Sequence, residues 1–228
     1  MGASTPGARA RHARLGLATR APLDRTTHAM LLRQLYMAFY ERRRFRKAHE
    51  VAVQCLALRV MVDVVHHDAA RACVALGLHD EAIGHLRLAA RRGPPSRRAF
   101  HLWSLGSALM LLGRHAEAAA ALDRASRWGT TDRPLYVAHA ILARMLGGIP
   151  VTGARAAYDR LERAPCGQGY GRFVLGMLAR ELRRWDDARQ LLEGFVKRAV
   201  EGRPAMALAL AGEIALASSS IDSMRVVN

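Results

Sequence analysis

Lysine is nearly missing from this chain: of 35 basic residues only Lys47 and Lys197 are lysine, and the other 33 are arginine. Acids are also few, 19 in all, which leaves a formal charge of +16. That balance bears on solubility, acidic partners and long-range attraction, and not on the fold. Cysteine is scarce and unpatterned, since Cys55, Cys73 and Cys166 form no CxxC pair. A disulfide framework is thereby excluded, and a reduced compartment is expected, with Cys55 and Cys73 as small core residues. Aromatics make up only 6% of the chain, while Ala, Leu and Arg dominate, a composition that favours helix. No apolar run reaches the roughly 18 residues needed to span a membrane. The stretch 205–217 is shorter and carries Glu213, and so reads as a packing helix.

Catalytic signatures are missing too. There is no P-loop, no HExxH and no dinucleotide fingerprint following a strand, so neither an enzyme nor a cofactor is expected. His66-His67-Asp68 has the look of metal chemistry. Helical spacing separates its members, however: His66 points to a core position and His67 shares a face with Arg71. The reading is therefore structural or groove-lining, with no metal.

What remains is a core-forming chain, 51% apolar, with a distinct start. Residues 1–26 are Arg-rich and nearly free of acid, and are expected to be a disordered basic tail; a transit peptide is the other reading of such a composition. The cytoplasm is the expected compartment, with the mitochondrial matrix as the alternative. Residues 27–217 form the folded domain, and 218–228 read as a C-terminal tail.

The strongest signal is self-similarity. Four near-identical turns read Arg44-Phe45-Arg46-Lys47-Ala48, Leu78-His79-Asp80-Glu81-Ala82, Arg114-His115-Ala116-Glu117-Ala118 and Arg184-Trp185-Asp186-Asp187-Ala188, with a looser copy at Pro150-Val151-Thr152-Gly153-Ala154. The alanines at 48, 82, 118, 154 and 188 are spaced by 34, 36, 36 and 34 residues. Leu105-Gly106 and Leu175-Gly176 recur midway along the first helix of a hairpin, and Gly77 and Gly113 stand where a first helix ends in a left-handed cap. Four and seven residues beyond each alanine lies a stripe such as Leu122 and Ala125, the inner face of a second helix.

With this period and these positions, residues 29–202 resemble the tetratricopeptide repeat. The resemblance implies an all-α, right-handed superhelical α-solenoid of about five helix-turn-helix repeats plus a C-terminal capping helix. Departures are visible, Tyr36 standing where glycine or alanine is usual. The resemblance further implies a concave groove lined by first helices, which here carries Arg33, Met37, His67, Arg71, Phe100, Trp103, Ser107, Tyr136, His139, Tyr170, Phe173, Met177 and Arg180. The clamp that chaperone-binding members use for a terminal carboxylate is absent, since Asp68 stands where it would repel one.

The expected function is a non-catalytic scaffold that takes a partner helix or peptide in this aromatic groove. The alternative is a basic helical-repeat protein on RNA or a ribonucleoprotein, or on an acidic partner, drawn by a rim of Arg42, Arg43, Arg44, Arg46, Lys47, Arg183 and Arg184. A C-terminal helix with more apolar residues than one stripe can use also suggests self-association, or docking of 218–228 upon it.

Overall fold

The computed structural model of the protein describes residues 5–20 and 22–226. Residues 1–4 and 21 of the expected N-terminal tail, and 227–228 of the C-terminal one, lie outside the described residues. Among those described there are thirteen helices, a single 3-10 turn at Pro165–Gly167 and no strand. In chain order they are α1 (Pro6–Leu17), α2 (Arg25–Glu41), α3 (Phe45–Ala57), α4 (Val62–Ala75), α5 (His79–Arg92), α6 (Pro95–Leu111) and α7 (His115–Trp128). There follow α8 (Arg133–Leu146), α9 (Ala154–Arg163), α10 (Gly171–Glu181), α11 (Trp185–Glu201), α12 (Pro204–Ala209) and α13 (Ala211–Val226). The pairs α2/α3, α4/α5, α6/α7, α8/α9 and α10/α11 are the five hairpins of an all-α helical repeat. The chain divides into two compact units between Arg97 and Arg98, in the first turn of α6. No helix among the described residues is long and apolar enough to cross a membrane.

The repeat is written in the turns. Each first helix ends on a residue with positive φ: Arg43 at 57°, Gly77 at 75°, Gly113 at 72°, Gly148 at 65° and Arg183 at 60°. The next N–H then donates back across the turn, Arg44 to the Phe39 carbonyl, Leu78 to Cys73, Arg114 to Leu109, Ile149 to Arg144 and Arg184 to Ala179, at 2.8–2.9 Å. Three copies place glycine at the left-handed position and two place arginine, whose Cβ crowds the following carbonyl. Arg43→Gly and Arg183→Gly should therefore each raise stability by about 1 kcal/mol. Chemical denaturation of each variant checks this; a lowered midpoint would refute it.

Close helix crossings follow from the Leu-Gly pairs. A Cβ on Gly106 would stand 2.5 Å from Leu122 Cγ, and one on Gly176 would stand 2.7 Å from Leu192 Cγ. The second helices meet these crossings through Ala48, Ala82, Ala118 and Ala188, all 0–1% exposed. Ala154 does not share that place. It is the first residue of α9, preceded by Gly153 in a left-handed conformation with φ 74°, and it is only half-buried. The segment 149–153, with Pro150, takes the place of the first turn that the other second helices have.

The expected disordered N-terminal tail is corrected by α1. Thr5 caps it, accepting from Ala8 N at 3.2 Å, and Pro6 occupies the first turn, where its missing N–H costs nothing. Ala10 and Ala13 are buried, and Gly16 lies against Leu31, so a face of small residues lets α1 pack closely on α2. Arg9 makes a bidentate pair with Glu41 at 2.9 and 3.1 Å, and Arg14 stacks over Phe39. The other end is corrected likewise. The expected capping helix at 203–217 breaks at Leu210, and α13 runs on to Val226 through most of the expected tail.

Candidate functional site

In the first unit the expected groove residues Arg33, Met37, His67 and Arg71 are half-buried along α2 and α4. Two of them are occupied internally. Arg33 Nε donates to the buried Asp68 carboxylate at 2.6 Å, and Arg71 stacks 4.8 Å over the Tyr40 ring. Tyr36, at the usual glycine position, is 1% exposed and donates to the Asp68 carbonyl at 2.7 Å. Burial pushes the Asp68 carboxyl upward against the pull of Arg33. The anionic Asp68 is thus spent holding α2 to α4.

In the second unit the predicted aromatics do come together. Phe100 and Trp103, on α6, have ring centroids 5.7 Å apart, and Trp103 meets Tyr170 edge-on at 4.7 Å. Tyr170 in turn lies 5.8 Å from His139 and 5.6 Å from Phe173. Exposure corrects the expectation that all of these line an open surface. Phe100 is 42% exposed and Trp103, Tyr170 and Arg180 are half-buried, but Ser107, Tyr136, His139, Phe173 and Met177 are buried. Large aromatics on facing helices pack against each other before any partner is offered to them.

Part of that cover is the chain's own α13, which packs on α10 and α11. The Glu213 carboxylate is buried against the strip and accepts from Ser107 Oγ at 3.1 Å and from the Tyr170 hydroxyl at 3.2 Å. Ser107 Oγ and the Tyr170 hydroxyl are themselves 2.6 Å apart. Further along, the Ser220 hydroxyl lies against Met177 Sδ and accepts from Arg180 at 3.4 Å. Burial raises the Glu213 carboxyl above its ordinary range and drives the Tyr170 phenol well above its own. The sequence reading missed Glu213 and Ser220 as site residues. The available signal was an isolated acid in an otherwise apolar stretch, which calls for a buried polar partner.

The rim residues Arg42, Arg43, Arg44, Arg46, Lys47 and Arg183 are exposed. Arg184 is the exception: it pairs with Asp187 at 2.6 Å and stacks 4.4 Å from the Tyr158 ring, so it belongs to the hairpin rather than to a free surface.

A family model described as tetratricopeptide repeat matches residues 67–129 and 173–223, together half of the 228-residue chain. The chain belongs to the tetratricopeptide repeat family. Among solved structures, a chain in the crystal structure of the APC/C hetero-tetramer Cut9-Hcn1 is similar, with a TM-score of 0.59 and 16% identity over 94% of this chain. The match spans 46% of that chain, and at this identity it bears on the fold alone. No curated protein matches the sequence. Tetratricopeptide repeats typically form protein-interaction scaffolds, and membership of the family supports that coarse role for this chain.

Proposed function

We propose that the protein is a non-catalytic scaffold whose aromatic strip on α6, α8 and α10 takes a helix, and that α13 is the helix it holds when no partner is present. The observation that carries this reading is the Glu213 carboxylate between Ser107 and Tyr170, a single buried acid that fixes the register of a helix on the strip. A partner helix presenting an acid and small apolar side chains would compete for the same place.

The test uses the full chain. Glu213→Lys places an ammonium where no other acid acts among the described residues, and should release α13. The variant should then bind a labelled peptide of residues 204–226 in trans with micromolar affinity. The wild type should bind it at least about 100-fold more weakly, since α13 in cis competes at an effective concentration on the order of millimolar. Glu213→Gln, which keeps the shape without the buried charge, should behave as the wild type. Hydrogen exchange reports whether α13 has been released. Rapid exchange across 211–226 in the Glu213→Lys chain, with no peptide binding, would overturn the helix-binding reading.

The exposed basic rim supports the alternative, an RNA or another acidic partner. Phosphate contacts weaken steeply with salt and apolar contacts do not. A partner lost on Arg43→Glu with Arg44→Glu, and retained in the Glu213→Lys chain, would favour that reading.

A further inference from the structure

Apart from the strip, the first unit gathers side chains that the scaffold reading does not use. His49 on α3, Cys73 on α4 and His85 on α5 each bring one ligand atom to within 4.8 Å of the other two. His66, also on α4, stands beside His85, with their Nδ1 atoms 2.9 Å apart. The rings of His49 and His66 lie 6.4 and 5.2 Å from that of His85.

We propose that His49, Cys73 and His85 bind one zinc-type transition-metal ion, with His66 orienting His85 from the second layer. Three features of the cluster favour a metal ion. The first is the donor set: two imidazoles and a thiol, with no oxygen among them, suit zinc and its neighbours and exclude calcium and magnesium. The second is distance. Three atoms within 4.8 Å of each other have a common centre no more than about 2.8 Å from each, so shifts of under an ångström reach the usual 2.0–2.3 Å bonds.

The third is unsatisfied chemistry. His49 Nε2 is buried without a hydrogen-bond partner, a state that costs free energy in an apolar setting and that a metal ion relieves. Cys73 is 0% exposed and is not in a disulfide, so its sulfur is inert to modification yet correctly placed as a ligand. The contact between His66 and His85 can hold one proton on its shared edge. With that proton on His85 Nδ1, its Nε2 is free to bind metal, the arrangement by which outer partners fix a ligating ring. The surrounding charges are mixed: Glu81 acts on both His85 and Cys73, and Arg92 acts on His66. Burial keeps the thiol protonated, up to about 11, so the ion must displace that proton. Bound as thiolate with two neutral imidazoles, zinc would tie α3, α4 and α5 together and keep one position for water.

The test takes the full chain after chelator treatment and titrates it with Co2+, read by absorption, and with Zn2+, read by competition with a chromophoric chelator. The expected result is one ion per chain, with a thiolate-to-cobalt charge-transfer band and tetrahedral visible bands. Cys73→Ser should abolish the charge-transfer band. His49→Gln, at a half-buried site, should weaken zinc at least about 10-fold, and His66→Ala should weaken it about 10- to 100-fold. Far-UV circular dichroism establishes that each variant is folded. Cobalt binding without a charge-transfer band, zinc affinity unchanged in folded His49→Gln, or no binding by the wild type would each overturn the assignment. A thiolate band that survives Cys73→Ser would place the metal at Cys55 or Cys166 and overturn it equally.

Discussion

Phe173→Ala should cost about 3–5 kcal/mol of folding stability, the largest loss expected of any single truncation in the aromatic strip. The residue is 0% exposed on α10, with its ring centroid 5.3 Å from Phe195 and 5.6 Å from Tyr170. Removing the ring leaves a cavity between α10 and α11, whose backbones are already held close by Gly176 against Leu192 and cannot collapse to fill it. A residue chosen from repeat position as a surface anchor would instead lose about 2 kcal/mol of partner affinity and little stability. The two outcomes separate cleanly: a denaturant midpoint near that of the wild type would show Phe173 to be an open contact residue. Phe100→Ala is the matched control. At 42% exposure it should barely move the midpoint, and if the strip receives a partner helix it should weaken that binding.

The repeat itself was legible because its signals are local. Glycines at Gly77 and Gly113 mark left-handed turns, and Leu105-Gly106 and Leu175-Gly176 mark crossings where no Cβ fits, each visible in a few adjacent residues. Even the departure at Tyr36 has a local reason. Ala52 stands where three of the other second helices carry Leu86, Leu122 and Leu192, so the first hairpin has a small residue on its second helix where its first helix has a large one.

What escaped the sequence reading is long-range or polar. The α1 helix packs through Ala10, Ala13 and Gly16, which carry too little hydrophobicity to distinguish it from a tail. The α13 helix turns Glu213 and Ser220 inward, against the rule by which a packed face is recognised as apolar. Which groove positions lie open was equally illegible, since burial of Phe173 and Met177 depends on partners more than ten residues away, such as Phe195 and Ser220. The metal-type cluster draws on three helices, and its only local trace is the seven-residue spacing of His66 and Cys73, two turns along one face of α4.

His139 carries the second large effect, and its sign depends on pH. Its ring is 0% exposed, both nitrogens are buried without a partner among the described residues, and burial pushes its pKa down to about 3. The folded chain therefore keeps the imidazole neutral, while the unfolded chain protonates it near 6.5. Above 6.5 neither state takes a proton and this residue adds no pH dependence. Below it the unfolded state alone gains one, and stability falls by about 1.4 kcal/mol for each pH unit until the folded-state value is reached. At pH 5 the loss attributable to His139 is about 2 kcal/mol. His139→Leu removes both penalties, the acid-linked one and the standing cost of two unsatisfied nitrogens, about 1–3 kcal/mol. The variant should be more stable than the wild type at pH 7.5, and the gap should widen by about 2 kcal/mol at pH 5. His66 and His85 are also held below their ordinary value by burial, so both proteins lose stability in acid and only the difference between them reports on His139. Denaturation curves at the two pH values decide the matter. A gap that stays constant would mean that the imidazolium is reached by water or a hydrogen-bond acceptor, and a less stable variant would mean that the ring's shape, rather than its polarity, is what the packing beneath Tyr170 requires.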